Sequence, residues 1–288
     1  MSYQTILHSV ELDPRDRQLI AAEIPGLWFE RPAYHLIEHE DSVSNAVITG
    51  LRHRLSFDIN PLPRDFDPGK VRVLISDMDS TLIAVECIDE IADVLGIKPQ
   101  VAVITEAAMR GEMDFEAALR QRVKLLAGVS VEALQQVYDE RVTLTAGAEQ
   151  MLDGLKQAGI KTALVSGGFT FFTERLQQRL GLDYALACVL EIDNGCLTGR
   201  VISQVIDADA KAQMLADICT ERGIEPQQTV AIGDGANDLK MLAAAGLSIA
   251  FRAKDKVREA ADVCLHYSGL EGVCQLLQFG SSPRKYAK

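Results

Sequence analysis

Val71–Thr81 reads VRVLISDMDST. Val71 to Ser76 is a short apolar, β-branched run, the pattern of a buried strand. Two carboxylates, Asp77 and Asp79, follow at once. Three similar runs come later: Lys161–Val165, Thr229–Ile232 and Ser248–Phe251. Helical stretches separate them. Ala146–Ala158, Phe169–Leu180 and Ala210–Arg222 each stop at a glycine: Gly159, Gly181 and Gly223. Strands alternating with helices predict parallel pairing, so the fold class is α/β with a doubly wound parallel sheet. Active sites of such sheets lie at the C-terminal ends of strands, where Asp77 and Asp79 fall. Asn194-Gly195, between two alternating runs, predicts a β-hairpin over Ala185–Ile202.

Four helical stretches lie between the first strand and Ala146: Ile88–Leu95, Val101–Arg110, Phe115–Leu126 and Val131–Arg141. A crossover needs far fewer residues. The surplus predicts a helical cap, residues 86–141, inserted in the core and able to close over a substrate. The core is then residues 69–85 and 142–288. Pro61, Pro63 and RDFDPGK (Arg64–Lys70) read as a linker. It sets off residues 1–68 as a small α+β N-terminal domain with a helix near Ser42–Arg54.

The net charge of -12 argues against nucleic acid, which demands clustered Lys and Arg. It leaves room for an anionic substrate beside a bound cation. No apolar run approaches the ~20 residues that span a bilayer. MSYQTILHSVELDPRDR lacks the pattern of a secretory leader. The six cysteines form no CxxC pair and read as free thiols in a reducing compartment. The expectation is a soluble cytoplasmic protein with no nucleic-acid or membrane partner. A homodimer stays open.

Gly233–Asp238 (GDGAND) also follows an apolar strand. Asp77, Asp79, Asp234 and Asp238 therefore gather at neighbouring strand ends. Taken singly, each loop also reads as a turn with capping residues. Together, uncompensated carboxylates repel, or one holds a proton. A hard divalent cation resolves the conflict, and oxygen ligands suit Mg²⁺. Ser166-Gly167-Gly168 offers a hydroxyl and backbone N–H groups just before a helix, an anion cradle. Lys211 falls in the first turn of a helix, where a cation opposes the macrodipole unless an anion offsets it. An exposed lysine is the plainer reading. The conjunction matches what phosphoryl transfer requires: positioning, and neutralised oxygens.

These four motifs, in this order, resemble the haloacid-dehalogenase-like superfamily: DxDx[ST], then Ser/Thr, then Lys, then an acidic GDGxxD loop. The resemblance runs from about Val71 to Gln278. DMDSTLIAVECIDE (Asp77–Glu90), MRGEMDFEAALRQRVKLL, VSGGFTFF and GDGANDLKML are similar to its phosphoserine-hydrolysing members. That similarity implies that Asp77 is the nucleophile and Asp79 the acid/base. It implies Mg²⁺ on Asp77, the Asp79 carbonyl and Asp234, with Asn237 and Asp238 supporting the metal and phosphate shell. Ser166, Gly167 and Lys211 would bind phosphate. Glu86 would face a substrate ammonium and Arg122 its carboxylate, with Met109 and Phe115 shielding the site. The implied reaction converts O-phospho-L-serine, a small-molecule substrate, to serine and phosphate through an aspartyl phosphate, the last step of serine biosynthesis. Some relatives carry an amino-acid-binding ACT domain at the N-terminus, and residues 1–68 are read as ACT-like. Phosphothreonine and phosphohomoserine remain as alternative substrates. A phospho-aspartate receiver switch is a further alternative, but it lacks an Asp79-type acid and a cap.

Overall fold

The computed structural model describes residues 2–279, apart from the side chain of Met109. The N-terminal part runs β1 (Tyr3–Leu7), α1 (Pro14–Glu23), β2 (Leu27–Glu30), β3 (His35–His39), α2 (Asn45–Arg52) and β4 (Ile59–Pro61). Its antiparallel sheet has the order β2-β3-β1-β4, a split βαβ arrangement. Alternation along a strand divides its two faces. Leu7, Ile37 and Ile59 build a small core with Ile20, Ile48 and Leu51, while Ile6 and Leu36 join the main core on the other face.

β5 (Val73–Asp77) opens the second sheet. Four helices follow: α3 (Cys87–Val94), α4 (Lys98–Met109), α5 (Phe115–Lys124) and α6 (Val131–Arg141). The chain then returns through α7 (Ala148–Gln157), β6 (Lys161–Phe169), α8 (Thr170–Leu180) and β7 (Tyr184–Cys188). A hairpin, β8 (Leu190–Asp193) and β9 (Cys196–Val201), precedes α9 (Ala208–Arg222) and β10 (Thr229–Gly233). The remainder is α10 (Leu239–Ala244), β11 (Leu247–Phe251), α11 (Asp255–Ala260), β12 (Val263–Leu265) and α12 (Gly272–Leu276).

The sheet order is β12-β11-β10-β5-β6-β7, and every pair is parallel, as the alternation predicts. β5 is central because its run is apolar on both faces; all five of its residues are buried. Gly181 and Gly223 end α8 and α9 in the left-handed region, at φ +68° and +62°. The expected hairpin over Ala185–Ile202 is narrower than predicted. Asn194 and Gly195 turn it at positive φ, but Tyr184–Cys188 joins the parallel sheet instead. The hairpin leans on the α5–α6 connection. Gly128 N–H donates to Leu197 O at 2.8 Å, and Val131 N–H to Gly195 O at 2.9 Å.

A polar seam joins the two sheets. The Asn60 side chain, fully buried, pairs with both backbone groups of Cys264 on edge strand β12, at 2.8 and 2.9 Å. The buried Asp58 carboxylate accepts backbone N–H groups of His266, Tyr267 and Ser268, at 2.9, 3.1 and 2.8 Å. His8 lies between Asn60 (3.0 Å) and Gln275 (2.6 Å). Its Nε2 accepts from the Asn60 amide, so Nδ1 carries the proton toward Gln275. Burial lowers the His8 pKa to about 4, although Asp58 opposes the shift. Unfolded His titrates near 6.5, so this imidazole's contribution is complete above pH 6.5 and is lost as pH falls toward 4. The urea midpoint is therefore expected to drop over that window, and His8→Gln to flatten the drop. An equal slope in both proteins rejects the assignment.

Candidate active site

Asp77 is the last residue of β5 and is buried. The chain then bends through Asp79 and Ser80, which leave helical geometry, so that both acids stay at the strand tip. Lys211, on the first turn of α9, is wholly buried and lies between two acids. Its Nζ donates to Asp77 Oδ1 at 2.5 Å and to Asp238 Oδ1 at 2.7 Å. The exposed-lysine reading thus fails. Asp207 sets the register of α9 by capping it, its Oδ1 accepting the Ala210 N–H at 2.9 Å. Burial alone would lower the Lys211 pKa, but Asp77 and Asp238 outweigh it and keep the ammonium charged. These two carboxylates offset the macrodipole.

Negative charge is still in surplus. Burial first, then Asp238, push the Asp77 carboxyl well above its ordinary value, while Lys211 pulls it back. Asp234 rises to about 6 for the same reasons: burial, then Asp238. Oxygens of Asp77, Asp234 and Asp238 lie within 4.8 Å of one another. Asp238 is already engaged, by Lys211 on Oδ1 and by the Gly235 N–H on Oδ2 at 3.0 Å. Asp77 keeps an oxygen free of Lys211. Among the described residues, the Asp234 carboxylate has only a 3.3 Å bond from the Thr81 hydroxyl. An all-oxygen set with unspent charge fits a hard divalent cation.

Asp79 is clamped from two sides. Oδ1 accepts the Cys87 N–H at 2.8 Å, from the start of α3. Oδ2 accepts the Ser166 hydroxyl at 3.2 Å, and that hydroxyl in turn accepts the Gly168 N–H at 2.8 Å. Burial raises the Asp79 pKa, and the Cys87 and Ser166 bonds temper the rise. Two glycines allow this closeness. A Cβ on Gly168 would lie 3.0 Å from both Asp79 Oδ2 and Ser166 Oγ. One on Gly167 would lie 2.8 Å from the Phe115 ring, so Phe115 covers the Ser166 turn.

The remaining expected residues sit on the helical side. Glu86 precedes α3; although its side chain reaches solvent, crowding by protein and then Asp79 raise its pKa to about 7. Arg122, on α5, has its pKa lowered by burial and raised by Asp89, Glu86 and Asp79, which places it in their field. Its Nε donates to Ala118 O at 3.4 Å. Its neighbour Arg120 instead bonds Glu116 and Val201 O. A cleft of about 810 Å³ opens between α5 and the core loops, lined by Phe115, Arg120, Asp207 and Asn237. The expected role of Met109 falls on a side chain outside the described residues. Sequence reasoning missed Thr81, which touches Asp234, and the Cys87 N–H on Asp79. Thr81 is the last letter of the DxDx[ST] pattern, a usable signal; a backbone donor leaves none.

A parallel sheet carrying this carboxylate–lysine cluster at its strand tips defines a phosphoryl-transfer class of protein. The chain belongs to the haloacid dehalogenase-like hydrolase family, whose model matches residues 71–246. A phosphoserine phosphatase of a Polaromonas species is 48% identical over 225 residues, which is 76% of this chain and 95% of the relative. A haloacid-dehalogenase family hydrolase of Salmonella enterica serovar Typhi has TM-score 0.88 and 34% identity, covering 96% of this chain and 99% of its own. A structure described as a phospho-aspartyl intermediate analogue of phosphoserine phosphatase has TM-score 0.67 and 41% identity, covering 72% and 98%.

Removing Lys211 leaves two buried carboxylates facing each other. Lys211→Ala is expected to cost about 3–5 kcal/mol of folding stability in urea titrations, as for a buried pair losing one partner. A loss below about 1 kcal/mol, the range of surface pairs, contradicts the arrangement.

Proposed function

We infer that this chain hydrolyses O-phospho-L-serine to L-serine and phosphate through a phosphorylated Asp77. The observation that carries the chemistry is Asp77 at the β5 tip, held by Lys211, with Asp79 fixed two residues on. The substrate reading rests on Glu86 and Arg122, one acid and one guanidinium on the helical side of Asp79. An amino-acid ester offers an ammonium and a carboxylate to that pair, and Arg suits a carboxylate bidentately. The phosphoserine phosphatases among the relatives support the same choice. L-Serine as product fits the last step of serine biosynthesis, and we propose the chain for that step, in the cytoplasm.

Lys211 orients the Asp77 carboxylate toward phosphorus. Asp77 forms an oxygen–phosphorus bond as the bond to the serine oxygen breaks. Asp79, whose raised pKa suits an acid, gives its proton to that oxygen. Asp79 then takes a proton from water, which attacks the acyl phosphate and frees Asp77. Ser166 and the Gly167 turn hold the phosphate oxygens, with Asn237 at the cleft wall. Phe115 limits water at the reacting face. The oxygens of Asp77, the Asp79 carbonyl and Asp234 would hold Mg²⁺, with Asp238 positioned behind them. Bound there, the ion supplies charge neutralisation between carboxylate and phosphate. The N-terminal unit, with its split βαβ order and a separate 740 Å³ cavity, is proposed as ACT-like.

An assay with Mg²⁺ across phosphoserine, phosphothreonine, phosphohomoserine and phosphoethanolamine tests the reading. Phosphoserine is expected to lead in kcat/KM, and Asp77→Asn to abolish turnover of every ester. Arg122→Ala is expected to cost ~2–5 kcal/mol with phosphoserine, as when a paired charge loses its partner. The loss is expected to be much smaller with phosphoethanolamine, which lacks the carboxylate. Equal losses on both esters reject the role of Arg122, and an active Asp77→Asn protein rejects the mechanism.

A further inference from the structure

Ser80 lies at φ +56°, ψ 5°, in the left-handed region that glycine enters freely and serine does not. The turn between Asp79 and Thr81 demands this conformation, and the Ser80 N–H closes it on Val85 O at 3.2 Å. Glycine would satisfy the backbone with less strain. Serine adds a Cβ, the source of the strain, and a hydroxyl, which donates to Glu86 Oε1 at 2.7 Å.

Glu86 needs such a tether. It is the N-cap residue of α3, yet its carboxylate makes no capping bond there. Three acids, Asp79, Asp234 and Asp89, repel an ionised Glu86, against the attraction of Arg122. Its side chain reaches solvent despite the protein crowded around it, so it has room to turn outward. A long acidic side chain in that situation turns outward, where water screens it. The short bond from Ser80 holds one of its oxygens at the rim of the site.

We propose that Ser80 is a positioning residue for substrate selection. Its hydroxyl fixes the Glu86 carboxylate where a substrate ammonium meets it, and the strained turn is kept for the sake of that hydroxyl. This rests on the reading of Glu86 given above. Ser80 acts through Glu86, and so selects for the ammonium and not for the phosphate.

Two esters and four variants test it. Phosphoserine is compared with 3-phosphohydroxypropionate, which keeps the carboxylate and lacks the ammonium. Ser80→Gly removes hydroxyl and strain together; Ser80→Ala removes the hydroxyl and keeps the strain. Glu86→Gln and the Ser80→Gly/Glu86→Gln double variant complete the set. In Ser80→Gly the kcat/KM ratio of the two esters is expected to fall ~10-fold, the effect of one lost charge-assisted hydrogen bond, mainly through KM for phosphoserine. Its urea midpoint is expected to equal or exceed the parent's, because strain is relieved. Ser80→Ala is expected to lose the same ratio at a lower midpoint. The double variant is expected to match Glu86→Gln alone. An unchanged ratio in Ser80→Gly beside a fallen one in Glu86→Gln overturns this inference alone. An unchanged ratio in Glu86→Gln overturns the reading of Glu86, and this inference with it.

Discussion

A lysine ammonium with no access to water sits 2.5 Å from one carboxylate and 2.7 Å from another. Such a charge is costly to bury unless it is paired and fully hydrogen-bonded. Three separate segments must therefore arrive together: the tip of β5, the first turn of α9 and the loop after β10. The β5 tip and the end of β10 are set side by side by the central parallel register, in which Ser76 opposes Ile232 and, on the other side of β5, Asp77 opposes Val165. The electrostatic demand of Lys211 and the apolar demand of the sheet thus specify the same geometry. The charge left over after that pairing is what suits the site to a cation and a phosphate.

Asp79 is fixed by a different logic. One Asp79 oxygen is held from the core, through Ser166, and the other from the first backbone donor of α3. The helix therefore contributes a hydrogen bond to Asp79 as well as a wall. The two chain crossings between the four helices and the core lie side by side: Ala84 N–H donates to Thr143 O, and Thr145 N–H to Leu82 O. Any displacement of α3 at these crossings also moves the donor on Asp79. The same helix thus borders the site and holds one oxygen of Asp79.

Much of this was legible in the sequence. β5, β6, β10 and β11 announce themselves because strands buried on both faces need unbroken apolar runs. The acids at their tips follow from the position of the runs. β7 and β12 were harder to see. YALAC abuts a hairpin with a stronger turn signal, and VCL is three residues long. Lys211 was found as a letter but not as a core residue, since its partner Asp77 is 134 positions away. Arg120 and Arg122 look alike in the chain. Only the placement of α5 separates a residue paired with Glu116 from one in the field of Glu86. Ser80 carried no signal at all, because a left-handed serine is invisible without φ.

The pairing of Asn60 with Cys264 has its own consequence. An amide side chain here stands in for a neighbouring strand, satisfying donor and acceptor at the outermost rim of the six-stranded sheet. The first sixty residues therefore cannot be treated as a detachable module. Excising them would bare a ready template for strand addition and strip the cover from the 266–268 turn, so shortened forms of this protein would tend to self-associate.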